Sequence, residues 1–188
     1  MKVITFVNRK GGTGKSSLTC LLALHWARKN KQVAVKDYDS QGSSQAFVDL
    51  IANPNIATYT THNGGEDFDF LLIDTPGGIR QRDLNELVEL SDKVIIPLCL
   101  SPTDIRSSTE TAKLIDNPQK TRLLFNQVDT RTSAFKDRTS YAKAIGLKPL
   151  KNYLSKRVGF SYALIDGWSA LNRKCIDELE QLAKEIAR

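Results

Sequence analysis

The sequence contains few residues of the kinds that support covalent cross-links or redox centres. Its 188 residues include three cysteines, Cys20, Cys99 and Cys175, which are far apart and form no C-x-x-C pair. This spacing argues against a disulfide framework, a metal centre or a redox site. We therefore expect three inert thiols.

The chain also lacks long apolar segments. Its longest apolar runs, residues 70–73 and 94–100, have the length of strands and fall well below the roughly 20 residues that cross a bilayer. Residues 1–6 lead directly into a glycine-rich motif and leave no room for a signal peptide, so we expect a cytoplasmic protein. With 40% hydrophobic and 26% charged residues and no repeat, residues 1–188 are expected to form one globular domain.

Positive charge exceeds negative charge, and the excess is concentrated in the second half. The chain has 27 Lys and Arg against 21 Asp and Glu, a net charge of +6, and residues 120–157 are the most basic segment. This pattern favours a polyanionic partner, although a solvated surface stays open as an alternative. From this segment we select Lys151, Lys156 and Arg157 as candidate DNA-binding residues, because they lie outside every phosphate-binding motif.

Hydrophobic periodicity predicts alternating strands and helices. The predicted strands are residues 3–7, 33–35, 70–73, 94–98 and 123–125, and the predicted helices are residues 16–29, 83–90, 103–115 and 171–187. Alternation of this kind requires parallel crossovers. We therefore predict an α/β fold with a mostly parallel sheet flanked by helices on both faces, and the phosphate-binding loop quoted next makes this a single-domain P-loop NTPase fold. The last helix carries mixed charge on its polar face, which disfavours a membrane-surface role.

Residues 7–17, VNRKGGTGKSS, nearly fit the phosphate-binding loop G-x-x-x-x-G-K-[ST], with Arg9 where the first glycine is expected. Glycines let the backbone turn its N–H groups toward phosphate oxygens at the start of a helix. The following lysine neutralises phosphates, and the next hydroxyl binds Mg²⁺. The candidate nucleotide-binding residues are Lys10, Gly11, Gly12, Thr13, Gly14, Lys15, Ser16 and Ser17.

Carboxylates follow two of the predicted strands. Asp37 and Asp39 lie two residues apart after one strand, and Asp74 ends the apolar run of residues 70–73. An aspartate in this place binds Mg²⁺ and senses the γ phosphate in P-loop proteins. These residues and Ser16 therefore predict a magnesium–phosphate site.

Together these motifs resemble the ParA/MinD family of deviant Walker-type ATPases, whose loop is K-G-G-x-G-K-[ST] and whose second strand ends in D-x-D-x-Q-G. The matching segments are residues 10–16 and 37–42. Residues 101–104, SPTD, and residues 157–163, RVGFSYA, look most like the compact plasmid-partition ParA proteins that have no N-terminal DNA-binding domain. The resemblance covers nearly the whole chain.

The resemblance implies a role for each residue. Lys10 would reach the partner's phosphates in a nucleotide sandwich dimer, Lys15 would bind phosphates in its own subunit, and Asp39 would position the attacking water. These three are the candidate catalytic residues. The metal residues would be Ser16, Asp37 and Asp74. Asn126 matches the asparagine that reads adenine, although an ordinary turn residue is an alternative there.

The chain also departs from the family pattern. Lys36 and Ser40 replace an apolar residue and a proline, which puts the hydrolysis rate in question more than the fold. No helix-turn-helix precedes the first strand, so we do not expect a site-specific autorepressor.

The resemblance implies an ATP-dependent, dimerising ATPase that partitions plasmid or chromosomal DNA. Its cofactors would be ATP and Mg²⁺, and its partners a second copy, non-specific DNA on the nucleoid and a ParB-like centromere-binding adaptor, with no membrane. The alternative is a spatial organiser of the same fold that positions a protein cargo or division complex. A small-molecule enzyme or electron-donating reductase is disfavoured by the cysteine spacing. A DNA-binding module with an inactive loop is disfavoured by the complete loop.

Overall fold

The computed structural model describes residues 1–60 and 67–188. Within them, six strands form one sheet in the order β3-β2-β4-β1-β5-β6, and all five strand pairings are parallel. The strands are β1 (Lys2–Phe6), β2 (Val33–Asp37), β3 (Ile56–Thr58), β4 (Phe70–Asp74), β5 (Lys93–Leu98) and β6 (Thr121–Phe125).

Eight α-helices cover the two faces of this sheet in the described residues. They are α1 (Lys15–Arg28), α2 (Ser43–Ile51), α3 (Gln81–Leu90), α4 (Pro102–Lys113), α5 (Ser133–Lys136), α6 (Arg138–Ile145), α7 (Val158–Asp166) and α8 (Arg173–Ile186), with short 3-10 helices at Pro118–Lys120 and Gly167–Ala170. One core contains α1, α2, α7 and α8, and the other contains α3 to α6. The predicted fold class is therefore confirmed.

Alternating side chains of each strand enter the two cores. In β4, Leu72 lies in the core with α1, while Leu71 and Ile73 lie in the core with α3. Burial on both faces explains why the central strands are continuous apolar runs without polar alternation. None of the helices in residues 1–60 and 67–188 is long and apolar enough to span a membrane.

The predicted strands and helices are all present, and the structure adds elements that the pattern did not reveal. These are β3, α2, α5 to α7 and an irregular segment, residues 148–156, that runs beside β6. In this segment Leu150 N donates to Leu123 O at 2.8 Å and Leu154 N to Phe125 O at 3.1 Å. Two isolated parallel bridges mark the same pairing, so the segment extends the sheet by a seventh, incomplete strand.

The parallel strands bring the functional motifs to one edge. Asp74 is the register partner of both Phe6 in β1 and Asp37 in β2. Because β1 leads into the glycine-rich loop, that loop and the strand-end aspartates lie side by side. The carboxyl edge of the sheet is therefore the candidate site.

Candidate nucleotide-binding site

The glycine-rich loop has a backbone that only glycine adopts easily. Gly12 and Gly14 have φ values of 76° and 92°, in the left-handed region. A Cβ atom on Gly14 would also collide with the side-chain amide of Asn126. Helix α1 begins at the next residue, Lys15, so its N-terminal N–H groups face the loop, as anion binding requires.

Neighbouring segments hold this loop in place. Asn8, which is fully buried, donates from Nδ2 to Pro97 O at 2.9 Å and accepts from Lys10 N at 3.0 Å. Gly78 N donates to Arg9 O at 3.0 Å. These bonds connect the loop to the ends of β4 and β5. Sequence reasoning missed Asn8, since a single asparagine after a strand carries no specific signal.

Lys15 lies inside the loop. Its side chain is buried, and Nζ donates to Lys10 O at 3.4 Å. Burial lowers the pKa of Lys15, while the charges of Asp74 and Asp39 oppose this shift. The ammonium group is therefore directed at the centre of the loop, where the phosphates of a nucleotide would lie.

Asp74 is the least satisfied polar group of the site. It is fully buried, and neither carboxylate oxygen has a hydrogen-bond partner among the described residues. Burial raises its pKa to about 6, and the Asp37 charge adds to this, while the nearby Ser16 and Ser44 hydroxyls and the Lys15 ammonium oppose it. A buried carboxylate of this kind is costly unless a cation binds it. Asp74 and Ser16 are oxygen ligands suited to Mg²⁺, so the residues fit the metal.

The other two aspartates shape the turn after β2. Asp37 accepts from Ser44 N at 2.9 Å, Ser44 Oγ at 2.7 Å and Gln45 N at 3.2 Å, and its other oxygen accepts from Asp39 N at 2.8 Å. It therefore anchors the first turn of α2. Asp39 accepts from Gln41 N at 3.0 Å and is only half-buried, which leaves it accessible to water at the mouth of the loop.

Asn126 lies at the end of β6, as predicted. It is buried, and Nδ2 donates to Thr13 O of the loop at 2.8 Å. A cleft lined by Ser17, Asn126, Leu154 and Phe160 opens beside it. The cleft combines apolar walls with an amide at the side of the phosphate loop, which suits a purine base.

Lys10 pairs within its own subunit. Its Nζ lies 2.5 Å from Asp104 Oδ1 and donates to Thr103 Oγ1 at 2.8 Å. Asp104 is buried in the first turn of α4 and accepts a hydrogen bond from the Ser101 hydroxyl. The sequence indicated the SPTD segment but not this partner. Since Lys10 is held in cis, action on a second subunit requires this ion pair to separate.

Lys36, the unusual residue of β2, is half-buried. Its Nζ lies 5.7 Å from the centroid of the Tyr38 ring, so the side chain snorkels to the surface along an aromatic face. The lysine is therefore compatible with the strand.

The three candidate DNA-binding residues are not brought together. Lys156 and Arg157 line the cleft beside Asn126 at the carboxyl edge of the sheet, whereas Lys151 lies near the start of β5, beside Lys93. Arg157 is also engaged with Glu178, at 2.6 Å. In the sequence these residues share one segment. In the structure that segment lies beside the outermost strand, β6, and runs from the amino ends of the strands to their carboxyl ends.

A basic cleft that the sequence did not indicate lies at the amino ends of the strands, on the opposite side from the glycine-rich loop. The cleft, of about 430 Å³, is lined by five basic residues, Lys93, Arg122, Lys151, Lys184 and Arg188. Glu185 also lies there, but its carboxylate accepts from the backbone N–H groups of Lys151 and Asn152. These basic residues come from four separate parts of the chain, namely β5, β6, the segment of residues 148–156 and the C-terminal end of α8, so no local segment could reveal the cluster.

Comparison with known proteins agrees with this geometry. Residues 4–167 match the family model of the CobQ/CobB/MinD/ParA nucleotide binding domain, and the chain belongs to this family. A curated relative, maintenance of carboxysome distribution protein A from Halothiobacillus neapolitanus, is 24% identical over 97% of this chain and 95% of its own length.

Solved structures show the same fold. A Borrelia burgdorferi B31 protein assigned to plasmid partition and bound to AMPPNP has a TM-score of 0.77 at 20% identity, covering 98% of this chain and 97% of its own. The septum site-determining protein MinD of Pyrococcus horikoshii, complexed with Mg-ADP, has a TM-score of 0.68 at 14% identity, covering 99% and 94%.

Proposed function

We propose that this protein is a Mg²⁺-dependent ATPase that dimerises on binding ATP and separates after hydrolysis. The observation that carries the proposal is Asp74, a buried carboxylate without hydrogen-bond partners in the described residues, beside Lys15 and Ser16 of the loop. A metal bound to nucleotide phosphates would satisfy it. Ser16 and Asp74 would hold Mg²⁺, with Asp37 acting through water, and bound Mg²⁺ would neutralise phosphate charge.

Phosphate release from ATP tests this proposal. Wild-type protein should release phosphate in Mg²⁺ and stop in EDTA, and Lys15→Ala should be inactive because the loop loses its buried cation. Lys113→Ala, an exposed lysine of α4, is the matched control and should keep wild-type activity. Turnover in EDTA, or in the Lys15 variant, would contradict the proposal.

The dimer explains the position of Lys10. The Lys10 side chain is half-buried beside the loop, and Asp104 and Thr103 hold its ammonium group there. A second subunit that presents ATP at this face would offer several phosphate oxygens, which together carry more negative charge than a single carboxylate. Lys10 would then act in trans, and Asp39 would orient the attacking water.

We favour the positioning of a protein assembly as the biological role. The Halothiobacillus relative is named for maintaining carboxysome distribution, and it aligns with nearly all of this chain. The MinD neighbour is named for determining the septum site. ATP-driven dimerisation would supply the two states of such a positioning cycle, and an adaptor on the cargo would stimulate hydrolysis.

DNA partition is the second candidate, and the basic cleft favours it. Clustered Lys and Arg side chains bind nucleic-acid phosphates without sequence preference, and such binding weakens steeply with salt. We expect DNA to co-sediment with the ATP-bound protein and not with the ADP-bound protein. Replacing Lys151, Lys184 and Arg188 by Glu should remove binding, whereas the exposed Arg80 and Arg82, replaced by Glu, serve as controls. Equal binding by both variants, or binding indifferent to nucleotide and salt, would exclude this surface.

A further inference from the structure

Helix α4 has an unusual buried face. Its three buried side chains, Asp104, Ser108 and Thr111, are all polar, and their spacing of i, i+4 and i+7 places them on one stripe of the helix. Its apolar residues Ile105 and Ala112 are only partly buried against the core. A helix that covers a sheet normally buries an apolar stripe. Buried polar groups need hydrogen-bond partners, and those of α4 lie at the start of the glycine-rich loop.

Two hydroxyl groups of this stripe contact the first residues of the loop. Thr111 Oγ1 accepts from Arg9 N at 3.2 Å and donates to Ser107 O at 2.9 Å, so it joins the loop to the backbone of α4. Ser108 Oγ accepts from Asn8 Nδ2 at 3.0 Å. Thr111 and Ser108 are fully buried. Because hydrogen bonds are directional, these contacts fix the position of the loop on the helix more closely than apolar packing would.

Asn8 connects α4 to the backbone of Lys10. Its Oδ1 accepts from Lys10 N at 3.0 Å and from Ser107 Oγ at 3.3 Å, while its Nδ2 donates to Ser108 and also to Pro97 O of β5. Since Asn8 is fully buried, water cannot readily replace these partners. The sheet and α4 therefore jointly determine where the backbone of Lys10 lies.

Helix α4 thus holds both ends of Lys10. Through Asn8 it fixes the backbone, and through Asp104 and Thr103 it holds the ammonium group. The two sets of contacts have opposite consequences for a lysine that acts on a second subunit. The contact with Asp104 must break before the ammonium group can leave. The backbone contacts must persist, because the lysine has to reach across from a fixed point.

We propose that Ser108 and Thr111 are positioning residues for Lys10. Their hydroxyl groups fix the loop backbone from which Lys10 reaches the nucleotide of the second subunit. Their bonds to the loop lie at residues 8 and 9, ahead of the phosphate-binding turn at residues 12–16, so they leave nucleotide binding in their own subunit unchanged. The inference rests on the proposed ATPase function and its dimer.

Thr111→Val tests the proposal with little change of shape, because valine resembles threonine but cannot accept from Arg9 N. The variant should bind ADP like wild type in a calorimetric titration. The ATP concentration at the midpoint of dimerisation, measured by light scattering, should rise by about tenfold, since each dimer loses one hydrogen bond at each of two loops. Ser108→Ala should shift the midpoint in the same direction. It provides an independent test, which stands even where the valine variant does not fold.

Thr109→Val is the matched control. Thr109 lies on the same helix and donates to Ile105 O at 2.8 Å, just as Thr111 donates to the carbonyl four residues before it. Within the described residues its hydroxyl makes no hydrogen bond to the loop. The ATP midpoint of this variant should match that of wild type.

Asp104→Asn separates positioning from a general weakening of α4. It frees the ammonium group of Lys10 and should lower the ATP midpoint, whereas Thr111→Val and Ser108→Ala should raise it. A merely structural role would move all three midpoints in one direction, and that result overturns the proposal. So does a midpoint unchanged in both hydroxyl variants, an equal rise in Thr109→Val, or a loss of ADP affinity as large as the shift in midpoint.

Amide hydrogen exchange without nucleotide separates this inference from the proposed function. Exchange at residues 8–11 should be faster in Thr111→Val and Ser108→Ala than in wild type or Thr109→Val, because the loop has lost a bond to α4. Unchanged exchange in both variants overturns the positioning role even where ATP drives dimerisation. Faster exchange in a protein that does not dimerise with ATP would support the hold of α4 on the loop while rejecting the proposed function.

Discussion

Asp74→Asn should remove a pH-dependent instability from the metal-free protein. Raising a buried carboxyl pKa from 3.8 to about 6 corresponds to about 3 kcal/mol, at about 1.4 kcal/mol for each pH unit. Between these two pH values the folded state still holds a proton on Asp74, whereas the unfolded state has already released it. The free energy of unfolding therefore falls as pH rises from about 4 to about 6, and then levels off.

Urea unfolding across this pH range, in EDTA, measures the effect. The free energy of unfolding of wild type should fall by about 3 kcal/mol across this range, whereas that of Asp74→Asn should not. The exposed Asp49→Asn variant is the control and should follow wild type. Adding Mg-ATP should then stabilise wild type near neutral pH more than the Asn variant, because a cation replaces the missing partner of Asp74. The reasoning is refuted if the two proteins share one pH dependence, or if Mg-ATP stabilises them equally.

Three further substitutions have defined outcomes. Asp39→Ala should bind ATP and dimerise but release phosphate about 100-fold or more slowly, because the water loses its orienting base; unchanged turnover would move this role elsewhere. Gly14→Ala should abolish ATP binding in a calorimetric titration, since a Cβ atom would collide with Asn126; normal affinity would contradict this. Asp104→Asn should lower the ATP concentration needed for dimerisation, because Lys10 loses its cis partner, and light scattering measures the midpoint.

The sequence predicted those parts of the fold that depend on local pattern. Buried parallel strands are continuous apolar runs, so β4 and β5 were recognisable, and the carboxyl ends of parallel strands meet at one edge. This rule placed Asp37 and Asp74 together, and the structure makes them register partners. Helix α2 was missed because no capping side chain marks its start: its N-cap residue is Gly42, and Asp37, at the end of β2, instead accepts the hydrogen bonds of Ser44 in the first turn.

Contacts between distant segments could not be predicted. The ion pair of Lys10 and Asp104 joins residues that only the order of strands brings together. The sequence groups the basic residues in one segment. Because that segment runs parallel to β6, Lys151 lies near the amino ends of the strands and Lys156 near their carboxyl ends.

Light scattering with ATP, ADP and no nucleotide tests the central claim most directly. The account predicts that wild-type mass doubles with ATP alone and that Lys10→Ala stays monomeric while its thermal unfolding matches wild type. Full ATP-dependent dimerisation by Lys10→Ala, or a wild-type protein whose mass is the same under all three conditions, would contradict the account.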